Sequence, residues 1–410
     1  MLKSGVVVTL IKIPKSKSLK FFSNNRDVVL NISQPFAQER IAFLKSFSKN
    51  ILSNNNAKNF PDLVTFGYWC RPSNIKTLKN FYDDIEVRLG LGLAFHVAPS
   101  NVPMNFAFSF VFSLLAGNSN IVRIPSKGFD QIGIFLDIFN ETIKGYPEIF
   151  QSTIFINYDS SDQYLTELFS ENADARIIWG GDQSVSALKR TRSKERSVDV
   201  VFSDRYSGSI IDVNALSALN DKEYKRFIHN VFNDIFLMDQ NACSSPRVFF
   251  WHGGTDKSFT KIQQKLWADV SEYSRKNYSI QPSQVISKFN NACIHSIKSE
   301  KSNSIKLHNG YLFTQNISNN FQKLDTFEIN SGYVLETRIK DLSELIPYID
   351  KKFQTLSYFG ISKFQFKQFI ETHKPTGVDR ITPIGSALDI GIVWDGYDLI
   401  RTLSRIIQIS

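Results

Sequence analysis

Leu93-Ala-Phe-His-Val-Ala-Pro-Ser-Asn-Val-Pro103, followed by the apolar run Met104 to Ala116 and by Gly117-Asn118, is the stretch on which the fold turns. Leu93 to Val97 predicts a short buried strand, because it is a continuous apolar run closed by a proline-bounded turn. Met104 to Ala116 predicts a helix, stopped by Gly117-Asn118 acting as its C-terminal cap. Strand, turn and helix together make one βα unit.

The same alternation continues outward along the chain. Asn120 to Ile124, Thr153 to Asn157 and Ala175 to Trp179 are predicted strands, with helices at Phe129 to Lys144 and Ser161 to Ser170 between them. The last of these strands runs into Gly180-Gly181. Val198 to Phe202 and Ser209 to Asp212 follow as strands, with Ser203 to Ser207 joining them. A helix from Lys222 to about Met238 then leads to a cysteine-bearing loop, the strand Val248 to Trp251 and the turn His252-Gly253-Gly254. A second βα region extends to about residue 360. Short apolar strands alternating with amphipathic helices predict an α/β fold with parallel sheet covered on both faces. The first 89 residues are less regular: a β-rich start including Gly5 to Ile13, then helices near Phe36 to Leu52 and Ile75 to Tyr82. Ser53 to Asn59 and Lys298 to Lys306 are polar enough to predict exposed loops.

A chain of 410 residues, 42% hydrophobic and 21% charged, has the composition of a globular protein of two or three domains. Thirty-five Phe against three Met and five Trp predict a core packed with aromatic and aliphatic groups. The net charge of +9 is spread along the sequence. Its densest run, Lys189 to Arg196, falls at the end of a predicted helix, where cations suit the helix dipole, so a nucleic-acid surface is not expected. Three scattered cysteines, with no CxxC, exclude a disulfide framework and fit a reducing cytoplasm. The N-terminal apolar run lacks a signal-peptide cleavage pattern, and Met104 to Ala116 falls short of the roughly 20 residues a spanning helix needs. The histidines show no spacing that suggests a metal.

Four features carry possible chemistry. Cys243 lies in Asp239-Gln-Asn-Ala-Cys-Ser-Ser-Pro-Arg247, a polar, turn-rich loop and not an apolar face; a reactive thiol and an inert packed one are the two readings. Asn101, between Pro99 and Pro103, either closes a turn or donates to an oxyanion, a contact whose loss costs about 3 kcal/mol in enzymes that use one. Gly180-Gly181-Asp-Gln-Ser184 enters a helix through two glycines, which suits either a plain βα turn or a diphosphate at a helix start. No G-x-G-x-x-G fingerprint is present. Arg123, with Ser126 and Lys127, ends a strand at what should be the carboxyl edge of the sheet, as surface charge or as a partner for the 2′-phosphate of NADP. His96 sits inside an apolar strand and is expected to be a hydrogen-bonded core residue. Cys70 and Cys293 are expected to be structural or incidental.

In order, Leu93 to Pro103, Ala116 to Arg123, Ile177 to Asp182, Phe202 to Ser207, Asp239 to Pro246 and Trp394 to Asp398 resemble segments of the aldehyde dehydrogenase superfamily, and more closely its LuxC branch of acyl-CoA or fatty-acyl reductases. The resemblance covers roughly residues 90 to 405. It implies a Rossmann-like cofactor domain, an α/β catalytic domain and an oligomerisation element. The corresponding boundaries are 1–207 for the N-terminal region with the cofactor domain, 208–385 for the catalytic domain carrying Cys243, and 386–410 for a segment returning to the cofactor domain or an oligomer interface. It further implies Cys243 as nucleophile, Asn101 as oxyanion donor, and Pro99, Ser100, Arg123, Ser126, Gly180, Gly181, Asp182 and Ser184 around the cofactor.

Ordinary aldehyde dehydrogenases place a general-base Glu where this chain has Phe202-Ser-Asp-Arg-Tyr206. Phe202 cannot activate water, so an acyl-enzyme would be reduced rather than hydrolysed. The implied activity is NADPH-dependent reduction of an acyl-CoA or acyl-protein thioester to the aldehyde, in a homo-oligomer with a possible acyl-protein synthetase partner. Reduction of an acyl phosphate, and a catalytically silent partner of such a synthetase, are the alternatives. The chain is expected to be shorter on its N-terminal side than luminescence reductases.

Overall fold

A computed structural model of the chain describes residues 9–82, 87–99, 102–298, 305–317 and 329–409. The polypeptide divides into two compact units, Met1–Ser203 with Ile392–Ser410, and Asp204–Gly391. Among the described residues no helix is long and apolar enough to cross a membrane.

The first unit is built on a six-stranded sheet in the spatial order Lys20–Phe21, Thr153–Asn157, Ser119–Arg123, Leu93–Val97, Ala175–Trp179, Val198–Phe202. All neighbours are parallel except the edge pair made by Lys20–Phe21. From Leu93–Val97 the chain winds outward to one side and then crosses to the other. Leu93–Val97 is therefore the point where winding reverses, and ligands of open α/β sheets bind at the carboxyl ends of strands at such a point.

Helix Asn105–Ala116 follows that strand and is buried almost all round, as a helix without a charged residue must be. Phe106 and Phe110 meet Phe135, Phe139 and Phe155 edge to face, with Phe139 and Phe155 centroids 4.7 Å apart. Here the abundance of phenylalanine finds its place, each ring contributing about 2–3 kcal/mol by burial and about 1 more through edge contacts. The helix ends at Gly117, whose φ of +101° and a would-be Cβ 2.1 Å from the Ser33 carbonyl admit only glycine. Its last turn is closed by Arg40, which is buried and donates to the carbonyls of Leu114, Asn118 and Asn31, each at 2.8 Å.

The second unit carries a seven-stranded sheet in the order Ile305–His308, Leu312–Asn316, Tyr333–Ile339, Pro246–His252, Tyr206–Asp212, Phe353–Phe359, Arg380–Pro383. Only the first pair is antiparallel. Alternate residues feed two cores, as a sheet covered on both faces requires. Ile211, Phe249 and Trp251 pack on helices Asp221–Phe236 and Asp256–Asn277, while Ile210, Val248 and Phe250 face the cluster that includes Phe366 and Phe369 of helix Lys363–His373.

Several expectations need correcting. The strand expected from Ser209 begins at Tyr206, so Ser207 is a sheet residue and not part of a linker. Pro61–Trp69 forms a helix that the sequence reading lacks, started by proline at its first position. Ser53 to Asn59, expected as an exposed loop, closes helix Gln38–Ser53 and holds a short 3-10 turn that buries Ala57. In Lys298 to Lys306, residues 299–304 lie outside the described ones.

Candidate active site

In the first unit, register sets Val97 beside Arg123 on one side and Ile178 on the other, and Trp179 beside Phe202. Pro99, Arg123, Ser126, Gly180 and Gly181 therefore share one carboxyl edge. Ser100 and Asn101 lie outside the described residues. Gly181 is the N-cap of helix Asp182–Arg190, with extended backbone at φ −66° and ψ 159°, and offers no side-chain cap. Ser184, expected near the cap, is exposed in the third helical position, and Asp182 stands in the first.

Neither glycine of this turn is demanded by a left-handed backbone. A Cβ on Gly180 would meet only Ser184, at an ordinary 3.4 Å. What Gly180 provides is clearance over the start of a helix, the requirement of a diphosphate that must approach backbone N–H groups. Beneath the turn, the Trp179 and Phe202 rings stack at 3.8 Å, with the Tyr397 edge against Phe202. The indole N–H of Trp179 is buried without a hydrogen-bond partner. Phe202 thus sits as a ring in a stack and offers no oxygen or nitrogen for proton transfer.

Arg123 is half-buried, its guanidinium lying 4.5 Å over the Tyr158 ring while Nη2 donates to the Tyr158 carbonyl at 3.2 Å. Stacking and one hydrogen bond fix the plane of the fork, which is how arginine is prepared for a bidentate anion. Ser126 and Lys127 are exposed beside it, with Lys127 lying over Phe129.

His96 is a core residue. Its Nε2 faces the Asn120 side-chain oxygen at 3.1 Å and its Nδ1 faces the Ser109 hydroxyl at 2.7 Å. Because an amide oxygen can only accept, Nε2 carries the proton and Nδ1 accepts from Ser109. Burial pushes this imidazole down to about 4, so it is neutral and has no base role at the edge.

Cys243 belongs to the second unit. Helix Asp221–Phe236, begun by an Asn220/Glu223 capping box, delivers the chain to the loop, and Pro246–His252 carries it away into the sheet. The thiol-bearing residue is half-buried, whereas Cys70 is wholly buried, with a thiol that burial drives upward, and Cys293 lies on helix Pro282–Lys298. Among the described residues, no disulfide joins any of the three cysteines.

The loop is held by residues that sequence reading missed. Asp239 and Gln240 both adopt left-handed backbone, at φ 51° and 60°. Non-glycine residues persist there, at a cost of about 1 kcal/mol or more each, only when their surroundings over-determine them. Gln240 is fully buried; its amide nitrogen donates to the carbonyls of Pro246 and Tyr333, both at 2.9 Å, and its oxygen accepts from the Gly332 N–H at 3.0 Å. Ser331 N–H donates to the Asp239 carbonyl at 2.9 Å, and the Tyr278 hydroxyl donates to the Asp239 carboxylate. From the strand side, Ser207 Oγ donates to the Cys243 carbonyl at 2.7 Å and accepts from Thr355 N–H at 3.1 Å. Only the polar composition of Asp239 to Ser245 hinted at such a role. The bonds themselves span up to 148 residues.

A largely parallel sheet with a glycine turn beside its winding reversal, and a second α/β unit presenting a half-exposed cysteine on a pinned loop, make up a fold of the aldehyde-dehydrogenase type. Solved structures agree on the fold. Aldehyde dehydrogenase 21 from Physcomitrella patens aligns with a TM-score of 0.61 over 90% of this chain and 84% of its own, at 10% identity. The NAD-dependent benzaldehyde dehydrogenase of Corynebacterium glutamicum aligns at 0.59 over 91% and 85%, at 11% identity. Residues 70–407 match the family described as acyl-CoA reductase (LuxC), and the chain belongs to that family. It is similar to long-chain acyl-protein thioester reductases of Vibrio harveyi, 23% identical over 77% of this chain and 63% of the relative, and of Aliivibrio fischeri, 22% identical over 73% and 61%. The aligned region thus spans less than two thirds of either relative.

Proposed function

We propose that this protein reduces an activated fatty acyl group to the aldehyde through a thioester on Cys243. The observation that carries the reading is the half-exposed Cys243 on a loop whose backbone is fixed from both sides, by Gln240 on the Ser331–Tyr333 turn and by Ser207 on the strand. Membership of the acyl-CoA reductase family and the names of its relatives support the substrate class.

In this reading the Cys243 thiolate adds to the carbonyl carbon of an acyl-CoA or acyl-protein thioester, and the carbon–sulfur bond to the carrier breaks as the carrier thiol takes a proton. The Asn101 side chain and the Cys243 backbone N–H stabilise the oxyanion formed on the way. A reduced nicotinamide, when bound, would supply the hydride that takes the Cys243 acyl-enzyme to a thiohemiacetal. Cleavage of its carbon–sulfur bond then releases the aldehyde and regenerates the Cys243 thiolate. Phe202, stacked on Trp179, leaves no base at its position to direct water at the thioester. Gly180, Gly181, Asp182 and Ser184, with Pro99 and Ser100, would hold the diphosphate and nicotinamide ribose, and Arg123 with Ser126 the adenosine ribose. The stacked, forked guanidinium favours the 2′-phosphate, hence NADPH. A cytoplasmic homo-oligomer that receives its acyl group from a synthetase completes the proposal.

The test is NADPH oxidation with a panel of acyl-CoA lengths and an acyl phosphate, the aldehyde identified by mass spectrometry. Chain-length-dependent aldehyde formation with thioesters is expected. Cofactor consumption with the acyl phosphate alone would replace the substrate class, and tight binding to a synthetase without turnover would replace the enzymatic reading.

A further inference from the structure

The second unit buries a lysine that neither the fold nor the chemistry above uses. Lys288 is the one charged residue between Pro282 and Ile297, and it points inward from helix Pro282–Lys298 with no accessible surface. Among the described residues it forms no ion pair. Its Nζ donates to three backbone carbonyls, of Tyr311 at 2.7 Å, Ser331 at 3.0 Å and Gly310 at 3.2 Å, and lies 4.6 Å from the Phe313 ring centre. All three donors of an ammonium are thereby used.

Burying a cation with only neutral carbonyls around it is costly, and an unbranched apolar side chain would fill the same space more cheaply. The ammonium does what methionine cannot: it gathers the carbonyls of two separated segments, Gly310–Tyr311 and Ser331, onto one point. Ser331 and Gly332 are both left-handed, at φ 54° and 84°, and a Cβ on Gly332 would come within 2.6 Å of the Tyr311 carbonyl. This strained turn meets the equally strained Asp239–Gln240. Ser331 N–H holds the Asp239 carbonyl, Gly332 N–H holds the Gln240 side-chain oxygen, and the Gln240 amide returns to Tyr333.

We propose that Lys288 is a positioning residue for Cys243, clamping the Ser331–Gly332 turn on which the cysteine loop is registered. The inference rests on the reading of Cys243 as nucleophile. Loss of the clamp lets the turn relax toward ordinary backbone and moves Asp239 and Gln240 with it. Small displacements of a reacting group are costly, up to about a hundredfold for 1 Å.

The experiment compares the full-length parent with Lys288→Met and Gln240→Met, which cut the same chain of contacts at two points. In each, the rate of Cys243 alkylation by iodoacetamide is followed by peptide mass spectrometry across a pH series, alongside kcat and KM. Folded Lys288→Met is expected to lose about tenfold in kcat, with a displaced alkylation rate profile, while the KM for NADPH stays within about twofold. A folded variant with parent-like alkylation and kcat overturns the proposal. If Lys288→Met does not fold, the decision passes to Gln240→Met, where parent-like values overturn it equally. Cys243→Ala separates the two readings: acyl labelling that survives in it defeats the nucleophile assignment, whereas labelling lost there but unchanged in Lys288→Met defeats only the role of Lys288.

Discussion

The carboxyl edge of the first sheet and the amino edge of the second solve opposite problems. At the first, candidate residues are defined by what is missing: Gly180 without a side chain, a helix begun by an N-cap that cannot cap, and an indole N–H without a partner. At the second, the thiol is placed by what is present, two strained turns bonded to each other and a serine on the carbonyl of Cys243. A ligand site needs unspent backbone donors, whereas a nucleophile needs backbone with no freedom left. Each unit also holds a buried cation clasping carbonyls, Arg40 at the end of helix Asn105–Ala116, on the amino side of the first sheet, and Lys288 under the cysteine loop.

The hardest test of the contrast is Cys243→Ala. Aldehyde formation should fall by roughly a thousandfold or more, with the fold and cofactor binding retained; near-parent turnover would leave the pinned loop without a catalytic purpose. Next, Arg40→Met strands three carbonyls at a helix end and should destabilise the protein by about 3 kcal/mol, read from its denaturant midpoint. A loss below about 1 kcal/mol would mean that the clasp is incidental. Gly180→Val fills the clearance of the first edge and should weaken nucleotide affinity by about tenfold while leaving Cys243 alkylation untouched. Equal damage to both would show that the edges are not functionally distinct.

The smallest effect separates the two cations. Burial lowers Arg40 to about 10 and Lys288 from 10.5 to about 7. Below pH 7 Lys288 is protonated folded or unfolded, and its desolvation cost is fully felt. Between about pH 7 and 10 the folded chain has shed a proton that the unfolded chain still binds, so this contribution to stability rises with pH. Melting temperatures across that range should show the rise in the parent and a flatter profile in Lys288→Met. Identical profiles would remove Lys288 as its source.

The strands Leu93–Val97, Thr153–Asn157, Ala175–Trp179 and Val198–Phe202 were legible because each is a compact apolar run bounded by turn residues. The start of Tyr206–Asp212 was not, since Ser207 and Gly208 look like linker. Gly208 is small because Val248, Phe250 and Phe353 crowd it at 3.0 Å, and Ser207 is polar because it holds the Cys243 carbonyl. Cys243 stood out by its polar neighbourhood. Gln240 and Lys288 did not, because their partners lie up to 93 and 43 residues away and leave no local periodicity. A lone lysine in the body of an amphipathic helix whose other lysine, Lys298, stands at its very end was the available clue.

The small ribbon formed by Arg88–Gly90 and Ser404–Ile406, with the Asn118 amide held by the Leu403 carbonyl, has a consequence for synthesis. The earlier unit leaves the ribosome at Ser203 still lacking Ile392–Ser410, while everything the later unit requires is translated before them. The nascent chain can therefore finish its second unit before Ile392–Ser410 emerges to complete the Arg88–Gly90 ribbon of the first.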